Sequence, residues 1–463
     1  MPSTVFDSAI YRDAFGTPAM REVFSDESFV RHAVGVETAL ARVQGRLGVI
    51  PPDAAAAIST RSNAGAVDLA RLKEETDLVG YPIVGLVHQL AEQCGDVGRY
   101  LHWGATTQDI IDTATVLQVR EALALVGDDL AAIDIALAAL AAKHRNTVMA
   151  GRTHLQHALP ITFGLKAAVW LSMIRRHRER LDQLKPRVLV GQFAGAAGTL
   201  ASLGEKGLAV QDALMAELGL GRPASTWHAA RDGLAETVGF LGLVTASLAK
   251  IATDVMLLMQ TEVGEAFEPF VAGRGSSSTM PQKRNPISCE HMLAAAKAVR
   301  QHAGLMLDAV VADHERATGA WQLEWVAVPE SFLATAGALR QARFMLEGLP
   351  IDAARMRRNL DLTGGLIVAE AVMMALAEHI GRGPAHDVVY AACRAALDEG
   401  TPLIDQLRKS SAVTKHLDDE RLQRLVDPAN YVGAAPAMID RVLADADPHS
   451  SSSSGGIPGA ASL

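Results

Sequence analysis

The sequence predicts an all-α protein of three helical domains around a central long-helix bundle, and three observations carry that prediction. Hydrophobic residues make up 49% of the 463-residue chain and aromatics only 5%. This Ala- and Leu-rich balance suits helices packed on helices better than a β-sandwich. Five long stretches repeat their apolar residues at helical spacing, and short polar segments separate them. A charged fraction of 21% fits a well-buried chain and excludes wholesale disorder.

The first helix signal is FSDESFVRHAVGVETALARVQGRLGVIPP. Ser25 can cap it, Asp26 and Glu27 suit the first turn, and Val36, Leu40, Val43 and Leu47 form one stripe ended by Pro51 and Pro52. Shorter pieces lead to HWGATTQD at 102–109, so residues 1–109 read as a small helical N-terminal domain. The central bundle is assigned to 110–350. Its helices start near Ile110, near Ile161 with Pro160 at the helix start, near Arg231, and over about 288–312 and 328–346. Helices this apolar bury more than one stripe, which predicts a homo-oligomer. Shorter helices broken by glycine mark a third domain at 351–446, and the Ser/Gly/Pro tail at 447–463 has nothing to bury and reads as disordered.

A net charge of −9 argues against a nucleic-acid partner, which needs clustered Lys and Arg. Three cysteines (Cys94, Cys289, Cys393) with no CxxC spacing suggest neither a disulfide framework nor a cysteine zinc site, and fit a reducing cytoplasm. The start, MPSTVFDSAIYRD, lacks the basic and apolar regions of a signal peptide. GLVTASLAKIATDVMLLMQ comes closest to a membrane span, but Lys250 and Asp254 interrupt it, so no membrane partner is expected.

Three polar segments stand at helix ends. HWGATTQD opens the first long helix, where backbone N–H groups and the Thr106 and Thr107 hydroxyls would seat a carboxylate; an ordinary N-cap is the competing reading. GRTHLQHALP at 151–160 places His154 and His157 in a loop or helix start beside Thr153 and Gln156, as proton-transfer groups or as surface histidines. No nearby Cys or carboxylate completes a metal set. GSSSTMPQKRNP at 275–286 is either a flexible linker or a loop that closes on an anion, its serines near the reacting carbon and Lys283 supplying positive charge. A serine is a weak base unless an ammonium and loop N–H groups stabilise its alkoxide. GxGxxG after a strand, GxxxxGK[ST], HExxH and GxSxG are all absent, so neither a nucleotide nor a metal cofactor is implied.

Together the three segments resemble the fumarase/aspartase (fumarate lyase) superfamily, whose GSSxMPxKxNP, TH(x)Q or TxGxxHAxP, and GxTSxD segments occur in this chain in the family's order. The resemblance runs from about residue 10 to 445. It is strongest to bacterial 3-carboxy-cis,cis-muconate cycloisomerases, through TPAMREVFSDE, LMQTEVGEAFEPF and DHERATGAWQLEW. It implies a homotetramer with a twenty-helix core and four active sites, each drawing residues from three subunits. It also implies proton removal beside a carboxylate of a small polycarboxylate, followed by loss of a group from the next carbon. Carried over, Ser277 is the base, Lys283 and Asn285 hold carboxylates, Thr106 and Thr107 match the TS pair, Thr153 and His154 match the TH pair, and Arg316 is a further carboxylate ligand.

The departures bear on the substrate. The cycloisomerases have tryptophan after the Thr of GRT, whereas this chain has His154, which suits protonation of a leaving amine. The adenylosuccinate lyases' RHDV histidine is missing at GYPIVG, and Trp227 stands where they carry glutamine, which weakens a purine nucleotide. The leading expectation is a fumarate-releasing carbon–nitrogen lyase, or an epimerase, acting on an iminodisuccinate-type N-substituted aspartate. The second is the lactonising cycloisomerase; a catalytically inert structural protein of the same fold comes third.

Overall fold

The computed structural model describes residues 4–445; the tail expected to be disordered lies outside the described residues. The chain folds into two compact units, each built from separated stretches. Met1–Ala131, His177–Ala252 and Ser288–Ala342 form the first, and Ala132–Arg176, Thr253–Ile287 and Arg343–Leu463 the second.

The helices run in order α1 (Pro18–Val23), α2 (Asp26–Arg46), α3 (Pro52–Arg61), α4 (Leu69–Val79), α5 (Pro82–Cys94) and α6 (Thr107–Lys143). Ser25 caps α2 as expected, its hydroxyl accepting from Ser28 N at 3.1 Å. The stripe of Val36, Leu40 and Val43 is buried. It joins Leu86 and Leu90 of α5, Ile110 and Leu117 of α6, and Phe193 in one apolar core. Gly45 is required where α2 meets α3, since a Cβ there would lie 2.5 Å from that of Ala55.

Next come α7 (Phe163–Val188), α8 (Gly207–Leu218), α9 (Asp232–Met259), α10 (Ile287–Val310) and α11 (Ala320–Glu347). The fifth long helix thus begins eight residues before the expected start, with Pro329 inside it. Buried Trp321 anchors the early turn, and burial outweighs the proline signal. By length and composition α9 is apolar enough to cross a membrane, which corrects the expectation that Lys250 and Asp254 exclude it. Its Val238, Leu241, Val244, Leu248 and Ile251 are buried within the first unit, as befits a core helix.

The second unit departs from the all-α expectation. GRTHLQHALP is neither loop nor helix start; it forms most of an antiparallel hairpin of β1 (Val148–Thr153) and β2 (Gln156–Thr162). Pro160, expected at a helix start, pairs with Ala150 in this hairpin. A two-stranded sheet has only edge strands, where proline is tolerated. Helix α12 (Ala353–Leu360) packs on β1, and Ala150, Leu360 and Val368 share a small core. Beyond it, α13 (Ala369–Ile380) and α14 (Arg382–Glu399) pair around Val372, Leu376 and Val389.

Candidate active site

In the first unit the HWGATTQD corner is built around a buried carboxylate. Asp109 takes the Thr106 N–H at 3.0 Å and the Ala194 and Gly195 N–H groups at 2.9 Å each, and its Oδ1 lies 2.8 Å from His228 Nε2. The cap is therefore made by Asp109 reaching back, and neither threonine hydroxyl is engaged in a hydrogen bond among the described residues. Both hydroxyls stand at the positive end of a 37-residue helix. The helix start is thus capped without either hydroxyl.

His102 adds charge to the same corner. Its backbone sits in the left-handed region at φ 56°, and Nδ1 lies 2.6 Å from Glu37 Oε1. Burial pushes its pKa down, but the Glu37 carboxylate and its hydrogen bond outweigh this, and the net shift is upward. Arg316, expected as a carboxylate ligand, is aimed by Gln108: Nε donates to Gln108 Oε1 at 3.1 Å, while Gln108 Nε2 donates to the His228 carbonyl at 3.0 Å. Arg316 Nη2 and His228 Nδ1 are buried with no partner among the described residues. Such atoms cost about 1–3 kcal/mol each unless something binds them, and a carboxylate would satisfy the guanidinium. Sequence reasoning missed Gln108, Asp109 and His228 as site-shaping residues. The only signal for His228 was its place in STWHAARD.

In the second unit Thr153 and Gln156 close the hairpin around a two-residue turn of His154 and Leu155. Both turn residues have positive φ, 51° and 63°, a conformation that hairpins normally give to Asn-Gly. Two non-glycine residues held there store strain of about 1–2 kcal/mol each, and such strain collects at functional positions. The turn presents the His154 imidazole to solvent. His157 differs: burial first, then the Arg152 cation, lowers its pKa against the pull of Glu265.

The 275–286 segment is a pinched loop rather than a plain linker. Asn285 N donates to Gly275 O at 2.9 Å, and Ser276 and Arg284 form an antiparallel bridge. Gly275 has φ +68°, and a Cβ there would meet Asn285 O at 2.6 Å. Arg284 braces the neck, donating to Glu268 O at 2.9 Å with its guanidinium over the Phe270 ring. At the tip, Ser277 Oγ receives the N–H groups of Met280 at 3.1 Å and Thr279 at 3.3 Å. Two donors on one hydroxyl oxygen favour its anion. Lys283 is exposed, and Asn285 is half-buried at the neck.

The structure thus groups the expected residues in two sets. Thr106, Thr107 and Arg316 belong to the first unit; Thr153, His154, Ser277, Lys283 and Asn285 belong to the second. Among the described residues no group of three or more His, Cys, Asp or Glu side chains could hold a metal ion.

The chain belongs to the fumarate lyase superfamily. Residues 14–300 match the Lyase family and 365–442 the adenylosuccinate lyase C-terminus family. Among curated relatives, trans-aconitate decarboxylase 1 of Mycosarcoma maydis is 49% identical, covering 96% of this chain and 90% of its own. The 3-carboxy-cis,cis-muconate cycloisomerase of Pseudomonas aeruginosa is 47% identical over 93% and 95%. The N-acetyl-S-(2-succino)cysteine lyase of Dickeya dadantii is 39% identical over 96% and 98%. A solved fumarate lyase from Mesorhizobium sp. BNC1 is 55% identical, covers 93% of this chain and 98% of its own, and superposes with a TM-score of 0.88.

Proposed function

We propose that this protein removes the proton next to a carboxylate of a small amino-dicarboxylate and eliminates the nitrogen substituent, releasing fumarate. The observation that carries the reading is the pair of main-chain N–H groups on Ser277 Oγ, which suits a serine that works as an alkoxide base. Ser277 takes a Cβ–H proton of the aspartate unit, and the electron pair moves into the neighbouring β-carboxylate. Collapse of that carbanion breaks the Cα–N bond, and His154 delivers a proton to the leaving nitrogen. Lys283, Asn285, Thr106, Thr107 and Arg316 hold the carboxylates, with Thr153 beside the acid. The substrate is an iminodisuccinate-type N-substituted aspartate; epimerising it would instead require removal of its Cα–H proton and return to the opposite face, with the Cα–N bond kept intact. The succinocysteine lyase among the relatives supports elimination from a substituted succinate.

The runner-up is lactonisation of 3-carboxy-cis,cis-muconate, favoured by the 47% identity to a cycloisomerase. Against it stands His154, where that subfamily carries tryptophan. Both readings place the enzyme in the cytoplasm as a homotetramer whose sites are completed by neighbouring subunits. The exposed Ile135, Leu243 and Leu307 on long helices support such packing.

The test is a panel of N-substituted aspartates assayed for fumarate and for epimer formation, run beside 3-carboxy-cis,cis-muconate, with Ser277→Ala as control. Serine-dependent fumarate release or epimerisation is expected. Fast, serine-dependent loss of the muconate diene alone would replace the lyase with the cycloisomerase. Full turnover by Ser277→Ala would remove the base assignment.

A further inference from the structure

One cavity of the first unit is not used by the chemistry above. It encloses about 320 Å³ between the starts of α2 and α5, the second and third turns of α6, and α11. That volume falls in the range of small-molecule sites. Its walls include the rings of Phe24, Phe29, Trp321 and Trp325. Tyr81 backs the indoles, stacked on Trp321 at 5.6 Å and edge-on to Trp325 at 6.2 Å, with the two indoles 5.2 Å apart. These rings are held in fixed orientations.

Every charged residue of the lining is acidic, beside the neutral polar Ser25, Thr115 and Gln118. Asp112, Glu324 and Asp26 line the cavity, and among the described residues no Lys, Arg or His does. Behind the wall Arg231 holds both buried carboxylates, with Nε to Glu324 Oε1 at 2.8 Å and Nη1 and Nη2 to Asp112 at 2.7 and 2.9 Å. One guanidinium between two carboxylates leaves one negative charge uncompensated, and Asp26 adds another at the rim. Burial raises the Glu324 pKa, the Arg231 guanidinium opposes that rise, and the neighbouring Asp112 adds to it.

We propose that this cavity binds an organic ammonium group, the protonated form of a small alkyl or arylalkyl amine. Ring faces attract a cation through their quadrupoles, and the surplus carboxylate charge acts in the same direction. An inorganic cation would have to shed tightly held water against apolar walls, whereas an alkylammonium carries apolar surface that these walls accept. A carboxylate would be repelled, which separates this cavity from the anion-binding groups of the candidate active site. The assignment stands whichever reaction the enzyme performs.

The test is isothermal titration calorimetry of the full chain with choline and with its neutral isostere 3,3-dimethylbutan-1-ol. Choline is expected to bind at least about tenfold more tightly than the alcohol, a gap within reach of a desolvated cation–aromatic contact. Trp325→Leu is expected to remove that preference while leaving the thermal midpoint close to wild type, since Trp325 is partly exposed. Equal affinity for the two probes would make the cavity merely apolar and overturn the proposal. So would the absence of saturable choline binding, or a preference that survives in Trp325→Leu. The comparison of the two probes needs no variant, so a poorly folding Trp325→Leu would not blunt it.

Discussion

Arg152 grips the carboxylate of Glu265 with both guanidinium nitrogens, at 2.9 and 2.7 Å, and Glu265 is wholly shielded from solvent. Asn359 Nδ2 adds a third donor at 2.6 Å. This pair ties β1, which ends in Thr153, to the strand-like segment from which the Ser277 loop departs, and it sets the footing of both.

Removing one partner strands the other. Arg152→Met is expected to cost about 3–5 kcal/mol, because Glu265 is left as a buried charge with one neutral donor. Chemical denaturation would measure it. Adding Glu265→Gln to Arg152→Met should recover a large part of the loss, and a double variant no better than the single would contradict this account.

His102 should make stability depend on pH. Its folded pKa lies above the ordinary value of 6.5, so its contribution is fully present below that pH and disappears as pH rises through the raised value. The gap between wild type and His102→Gln should be about 1–3 kcal/mol at the acid end and shrink on going alkaline. Unfolding midpoints of both proteins from pH 6 to 9 would check the direction, and a gap that widens with pH would refute it.

The hairpin turn offers a gain of stability. Leu155 is exposed at φ 63°, and Leu155→Gly should stabilise the fold by about 1 kcal/mol by removing the left-handed penalty. A differential scanning measurement would register it as a rise in the thermal midpoint.

Two glycines of the serine loop separate strain from contact. Gly275→Ala meets both a positive φ and the Asn285 carbonyl, whereas Gly273→Ala, at φ +79°, meets only open space. Displacing the neck should lower kcat by about 10²-fold in Gly275→Ala, with a much smaller effect in Gly273→Ala. Similar kcat values for the two variants would show that the neck contact is irrelevant to turnover.

Much of this was legible in the sequence for definite physical reasons. The five long helices are long apolar stretches set off by polar segments, and the Ser25 cap and the Val36, Leu40 and Val43 stripe are local features. The hairpin was not legible, because its turn residues, His154 and Leu155, are the reverse of a turn signal and Pro160 points to a helix start. The early start of α11 was hidden by Pro329. The Thr106, Thr107 and Ser277 segments announced themselves by composition. Their supports did not: Asp109 meets His228 119 residues away, and Arg152 meets Glu265 113 residues away. No local pattern encodes such pairings.

The neck at Gly275 and Asn285 also bears on what the loop costs to organise. Ordering a residue costs about 1–2 kcal/mol of backbone entropy, so a free loop would draw heavily on substrate affinity to become organised. With Ser276 bridged to Arg284 and Asn285 to Gly275, the ends are already fixed and only the intervening tip has to settle. The neck therefore divides the loop: a tip carrying Ser277 and Lys283 that has to settle, and a base that is already held to the scaffold.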